Sequence, residues 1–247
     1  MVADVVSVTG FILSSMPVGD YDRRVVILSR ELGKIAAFAK GARRPNSHLI
    51  GVTRPFIFGT FEVYRGRDSY TIQKANVTNY FEELVSDLDG VLYGYYFAEL
   101  AEYYGRENLD AADMINLLYV AFKALVNKSL PNELVRYIYE IRLIAVNGEC
   151  PDFFSCAGCG SEKELQLYSY KENGMYCVEC AASSGDGIVL QSSTLYTLQY
   201  IITAPLTKLF NFVVKADVLN ELKKVVNRIE FITFDKHFKS KEMLDIG

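Results

Sequence analysis

Ile35-Ala36-Ala37-Phe38-Ala39-Lys40-Gly41-Ala42-Arg43-Arg44-Pro45-Asn46-Ser47 joins an apolar run to a basic one bounded by glycine and proline. The first five residues read as a buried strand, and Gly41 and Pro45 mark a tight turn after it. Arg43 and Arg44 therefore leave the end of a strand on a short loop. Guanidinium groups held on such a turn suit phosphate oxygens, because the planar fork matches their geometry and the charge is permanent. The same pair also fits a solvated basic loop, so the surrounding sequence has to decide.

Upstream, Val6, Val8, Phe11 and Leu13 lie in an apolar-rich run with Gly10 in its middle, read as a bulge or bend. Met16-Pro17-Val18-Gly19-Asp20 has turn chemistry, Val25-Val26-Ile27-Leu28 is a short continuous strand, and Glu31-Leu32-Gly33-Lys34 turns the chain back. Downstream, residues 56–64 form a fourth run with a kink at Gly59. Arg65-Gly66-Arg67-Asp68 makes a turn, and residues 70–77 return. Five such runs with glycine kinks and no helical period predict a five-stranded OB-fold barrel over residues 1–80.

From Tyr80 the period changes. Phe81, Leu84, Val85 and Leu88 follow helical spacing, and Leu92, Tyr95, Tyr96, Leu100 and Tyr103 continue it towards Gly105. Asp110 is placed to cap a third helix, and Ser129-Leu130-Pro131 starts a fourth that ends at Gly148. Periodicity resumes after Ser193 and Thr194, and again after Asp217, which are read as N-caps. The tyrosines between Tyr93 and Tyr104 read as core with hydroxyls at the rim. The fold class is therefore α+β and multidomain: the barrel, then an α-helical domain over 81–149 and 186–247, carrying an aperiodic insert at 150–185.

That insert holds all five cysteines. Cys156, Cys159, Cys177 and Cys180 form C-x2-C-x17-C-x2-C, a zinc spacing. Each pair makes a knuckle, and an intervening hairpin brings the knuckles together as in a zinc ribbon. Four thiolates close the tetrahedron, so the expected Zn2+ is structural, replacing a core too small to form by itself. Cys150 stands outside the pattern and reads as a spare thiol, buried or partly buried.

The chain has 247 residues, 50% hydrophobic, with a formal net charge of −4. That average hides an asymmetry. Residues 1–80 hold 11 Lys and Arg against 6 Asp and Glu, whereas the remainder holds 15 against 24. A basic module that meets a polyanion and an acidic body that does not would give this split. No apolar run reaches the length of a membrane helix, and Met1-Val2-Ala3-Asp4 lacks a secretory n-region. The expected place is the cytoplasm, with no membrane partner.

No catalytic centre emerges. His48 and His237 lack the His-x-Glu context of a zinc deaminase, and no Walker loop or Ser/His/Asp order occurs. The remaining signal is basic: Arg23, Arg24, Arg30, Lys34, Lys40, Arg43 and Arg44 fall within 22 positions against the single acid Glu31. On adjacent strands they would form one stripe that binds phosphates irrespective of base sequence. Phe38, Tyr64 and Tyr70 are candidates for base stacking, although each also fits the core. Three readings stay open on residues alone: a DNA-binding protein, a zinc-stabilised protein-interaction adaptor without direct DNA binding, and a metalloenzyme with an open zinc position.

Gly19-Asp20-Tyr21-Asp22-Arg23-Arg24-Val25-Val26, Glu31-Leu32-Gly33-Lys34 and Lys40-Gly41-Ala42-Arg43-Arg44-Pro45-Asn46-Ser47 resemble the N-terminal domain of the RecO family of bacterial DNA repair proteins. The four-cysteine insert and the tail Lys236-His237-Phe238-Lys239-Ser240-Lys241 are similar to that family too, so the resemblance spans the whole chain. It implies a recombination mediator without enzymatic turnover. Such a protein binds single- and double-stranded DNA, anneals complementary strands, and works with RecR to load RecA onto DNA coated by single-stranded-DNA-binding protein. It implies DNA contacts at Arg23, Arg24, Lys40, Arg43 and Arg44, structural zinc on the four cysteines, and a nucleoid-associated cytoplasmic location. The grip on the single-stranded-DNA-binding protein falls in the helical domain, with no local motif to name its residues.

Overall fold

The computed structural model describes residues 5–67, 69–183 and 186–244. Residues 1–4 and Asp68, which was expected in a turn, lie outside the described residues. The chain forms two compact units. One runs through Val126 and takes back the tail from Phe238, and the other is Asn127–His237.

In the first unit five strands close a barrel: β1 (Val5–Val18), β2 (Asp22–Ser29), β3 (Gly33–Ala39), β4 (Phe58–Arg65) and β5 (Tyr70–Asn79). The order is β1-β2-β3-β5-β4, with β4 pairing back onto β1 and β3–β5 the one parallel contact. This is the OB-fold topology read from the sequence. Period-two alternation fills the interior: Val25 and Ile27 from β2, Ile35, Ala37 and Ala39 from β3, Phe61 and Val63 from β4, Tyr70 and Ile72 from β5.

Three local expectations are corrected. The bulge in β1 falls at Leu13, between the pairs Ile12–Ile27 and Ser14–Val26, and not at Gly10. Gly10 serves a close approach instead, since a Cβ there would lie 1.8 Å from the Leu28 carbonyl oxygen. The turn expected at 16–20 begins later. Met16, Pro17 and Val18 still pair with Arg24, Arg23 and Asp22, and Gly19, at φ +55°, makes the reversal. The fourth run starts at Phe58, because Phe56 adopts φ +71° and turns its ring onto Tyr95 and Phe122. Gly59 sits at a register shift between β4 and β5, as its kink required.

The helical spacing after Tyr80 is split by Asp87, extended at φ −95° and ψ 110°, into α1 (Glu82–Ser86) and α2 (Leu88–Tyr104). Asp110 accepts the Ala112 N–H at 2.8 Å at the head of α3 (Ala112–Asn127). Phe122 of α3 meets Phe11, Phe56 and Phe81 at ring separations of 5.2 to 5.4 Å, locking barrel to helices with edge-on aromatic contacts. Tyr96 and Tyr104 are buried and Tyr95 reaches the rim, as the stripe predicted.

The second unit starts with α4 (Asn132–Val146), which comes directly after Pro131. Then come β6 (Leu165–Ser169), β7 (Gly174–Cys177), α5 (Val178–Ala181) and β8 (Ile188–Val189), forming a sheet of order β7-β6-β8. Helices α6 (Ser192–Thr203), α7 (Leu206–Leu209) and α8 (Ala216–Thr233) complete it. The caps differ from expectation. Gln191 and Lys215 hold the N-cap positions, so Ser193, Thr194 and Asp217 lie inside the first turns. The Gln191 N–H is satisfied from α8, by the Glu221 carboxylate at 3.0 Å.

In the first unit, the tail helix α9 (Lys239–Leu244) lies on α2. Buried Phe238 packs on Tyr96 and Tyr103, and the Ser240 hydroxyl donates to Glu99. Among the described residues no helix is long and apolar enough to cross a membrane.

Candidate nucleic-acid interface and metal centre

The basic turn is built onto the start of β2. The Arg43 N–H donates to the Tyr21 carbonyl at 2.8 Å, and the Gly41 N–H donates to the Asp22 carboxylate at 2.7 Å. Gly41 takes φ +67°, which its lack of a Cβ permits. These bonds fasten residues 39–44 to residues 19–22. Arg43 and Arg44 are both exposed. One Arg43 Nη1 proton goes to the Gly19 carbonyl at 3.2 Å, and the Arg44 guanidinium lies 5.2 Å from the centre of the Tyr21 ring. A stacked guanidinium keeps its in-plane N–H donors pointing outward. Exposed Lys40 stands in the same turn.

Arg23 and Arg24 open β2, paired with Ala39 and Phe38. Alternation sends them to opposite faces. Arg23 shares the side of Val25 and Ile27, at the mouth of the barrel, and Arg24 the outer side. Half-buried Arg23 donates from Nη1 to the Thr53 carbonyl at 3.3 Å. Burial first, then the charges of Arg54 and Arg43, hold its guanidinium below the usual arginine range. Arg54, which the sequence pattern did not single out, therefore belongs to this group. It lies 10 positions beyond Arg44, outside the dense run, and only loop closure brings it back.

Lys34 is placed elsewhere. It pairs with Leu28, five residues along β2 from Arg23, which is about 17 Å at strand rise. Its ammonium donates to the Glu102 carbonyl at 2.6 Å, near the end of α2. Arg30 likewise donates to Asn116 at 2.9 Å. Of the stacking candidates, Tyr70 is buried in the barrel with its hydroxyl 3.4 Å from Glu107, whereas Phe38 and Tyr64 remain partly exposed. Among the described residues, none of Arg23, Arg24, Lys40, Arg43, Arg44 and Arg54 forms an ion pair with a carboxylate.

In the second unit the β6–β7 hairpin brings the two cysteine knuckles together. The Cys156 N–H donates to the Ser161 carbonyl and the Gly160 N–H to the Cys156 carbonyl, both at 2.8 Å, closing the first knuckle. Cys177 precedes α5 and Cys180 lies within it. The four sulfurs lie within 4.8 Å of one another, and those of Cys159 and Cys177 are 3.7 Å apart. Tetrahedral zinc with Zn–S bonds of about 2.3 Å sets its sulfurs about 3.8 Å apart, so the cradle fits such an ion. The Cys177 N–H donates to the Cys156 sulfur at 3.3 Å. Burial pushes the Cys156 thiol up, but backbone N–H donors, Cys177 first, outweigh it and bring it to about 6. Thiolates are the ligands that zinc takes at such a four-cysteine cradle. Cys150 lies outside the cluster, its thiol pushed up to about 12 by burial.

Comparison with known proteins finds relatives over most of the chain. A family model described as Recombination protein O N terminal matches residues 1–81, and one described as Recombination protein O C terminal matches residues 85–242. DNA repair protein RecO of Acetivibrio thermocellus is 30% identical over 96% of this chain and 94% of its own length. The Alkaliphilus metalliredigens protein of that name is 27% identical over 95% and 96%, and that of Bacillus subtilis 27% identical over 96% and 92%. The barrel strands, the four-cysteine segment and helices α2 to α8 fall within the matched residues, and the chain belongs to the RecO family.

Proposed function

We propose that this protein is a DNA repair and recombination mediator. It binds single- and double-stranded DNA, anneals complementary strands and, with RecR, helps load RecA onto DNA covered by single-stranded-DNA-binding protein. On this reading the barrel, residues 1–80, carries the nucleic-acid contact through Arg23, Arg24, Lys40, Arg43 and Arg44. Lys34, with its bond to α2, contributes least. The helices at 81–149 and 186–247 supply protein contacts. The insert at 150–185 is held by a structural Zn2+ on Cys156, Cys159, Cys177 and Cys180. The protein works at the bacterial nucleoid, in the cytoplasm, without turnover.

The observation that carries this reading is a turn of arginines, tied by backbone hydrogen bonds and without a carboxylate ion pair among the described residues, at one end of an OB-fold barrel. Unneutralised guanidiniums held by backbone bonds are free to replace the counterions of a polyanion, and the gain depends on salt and not on base sequence. The test is salt-titrated binding of single-stranded DNA to the Arg43→Ala, Arg44→Ala double variant. Loss of two phosphate contacts lowers the log–log salt slope by about 1.4, at about 0.7 per contact on single strands. An unchanged slope removes the proposal's main support. Absence of any DNA binding at low salt leaves the zinc-stabilised adaptor as the better reading.

A further inference from the structure

We infer that Arg23, Arg43 and Arg54 act together as a clamp for one backbone phosphate, with Arg54 supplied by the loop between β3 and β4. The inference deepens the proposed DNA-binding reading and rests on it.

Three separate segments converge at this point: the start of strand β2 with Arg23, the basic turn with Arg43, and the loop carrying Thr53 and Arg54. Hydrogen bonds fix all three. Arg23 Nη1 reaches the Thr53 carbonyl, and the Thr53 hydroxyl donates to the Leu49 carbonyl at 2.8 Å, holding buried Thr53 within its own loop. Arg43 is tied by its N–H to Tyr21 and by its side chain to Gly19. The nearby Asp22 carboxylate accepts the Gly41 N–H and makes no ion pair with the arginines. Among the described residues these three charges form no ion pair and repel one another; after burial, the charges of Arg54 and Arg43 register on Arg23. An anion between them removes that repulsion, and guanidinium forks are the donors best matched to phosphate oxygens.

The remaining basic residues are arranged differently. Arg24 leaves on the outer face of β2, Arg44 is stacked on Tyr21, and Lys34 serves α2. These would meet other phosphates or none. The clamp therefore predicts a particular coupling. Arg43 and Arg54 share one ligand group, so their losses are not additive. Independent phosphate contacts would be additive.

The experiment is a double-mutant cycle on binding of a fluorescent oligothymidine across a salt series. It compares the full chain, Arg43→Ala, Arg54→Ala and the double variant, with thermal melts confirming the fold of each. Each single change is expected to weaken binding about tenfold, equivalent to about 1.4 kcal/mol. The double variant is expected to be no more than about twofold weaker than either single one, with the salt slope lowered by about 0.7 in all three. Wild-type affinity in Arg54→Ala overturns the clamp. So does a double variant weakened by the product of the single effects, with a slope change of about 1.4. Failure of the unaltered chain to bind the oligothymidine at low salt refutes the DNA-binding reading itself, a result that the variants alone cannot produce.

Discussion

Replacing Glu140 with glutamine should make the protein more stable at alkaline pH than at present, and remove much of its pH dependence. Glu140 on α4 is fully buried, Glu230 on α8 is 4% exposed, and Arg136, the cation between them, is 8% exposed. Arg136 Nε donates to Glu140 Oε1 at 2.7 Å, and its Nη2 lies 3.7 Å from Glu230 Oε1. One arginine thus faces two carboxyls, and Glu140 Oε2 is buried without a donor. A protonated Glu140 carboxyl no longer needs a donor at that oxygen, and a proton shared with Glu230 is what the prediction tests. Burial first, then the charge of Glu230, push the Glu140 carboxyl well above the usual range, against the pull of Arg136. Linkage sets the sign. Below the unfolded value of about 4.3 both states hold the proton and nothing is lost. Above it the unfolded chain releases the proton while the folded one keeps it. Stability then falls by about 1.4 kcal/mol per pH unit until the folded value is reached. Glutamine has the shape of the protonated acid and brings its own donor. Urea unfolding from about pH 5 to about pH 8 should therefore show a falling profile for the natural chain and a flatter one for Glu140→Gln, the curves diverging as pH rises. Parallel profiles would refute the shared proton. Arg136→Met gives a second check: it takes the guanidinium away from buried Glu140 and should cost about 3–5 kcal/mol at the alkaline end, with part regained on acidification.

Two further outcomes test the scaffold. Chelation, or Cys177→Ser, should unfold the segment around β6 and β7 at a temperature where the barrel is still intact, because the four convergent sulfurs stand in for a core there; a melt indifferent to chelator would show that no metal holds it. Gly10→Ala should destabilise the barrel by more than about 3 kcal/mol, the upper end of ordinary single-site effects. The new Cβ would fall 1.8 Å from the Leu28 carbonyl, and a change in urea midpoint within the range of surface substitutions would disprove the close approach of β1 and β2.

The barrel and the cysteine site were legible because both are written in short-range pattern. Val25-Val26-Ile27-Leu28 and Ile35-Ala36-Ala37-Phe38-Ala39 stand out as short apolar runs bounded by turn residues, and that signal needs only neighbours along the chain. The two C-x2-C pairs announce their knuckles for the same reason, since the loop that aims both thiolates is four residues long. Where a local signal had two meanings, the partner strand chose between them. Gly10 reads as a bulge or bend, and the Leu28 carbonyl shows that it serves a close approach instead.

Which basic residues meet was not legible. Lys34 and Arg54 show the two sides of the difference. Lys34 stands amid the dense basic run, yet the β2–β3 register carries it to the far end of the hairpin, onto a carbonyl of α2. Arg54 stands outside that run, yet the loop before β4 folds it back towards Arg23, which donates to the carbonyl of the adjacent Thr53. Glu140 and Glu230 are 90 positions apart and meet only because α4 packs on α8. Periodicity records the face on which a side chain lies. Which faces come together depends on strand register, loop closure and helix packing, which are set by contacts summed over distant parts of the chain. The spacing of 156–180 therefore sufficed for the metal cradle, whereas the arginine group took shape only once the barrel had closed.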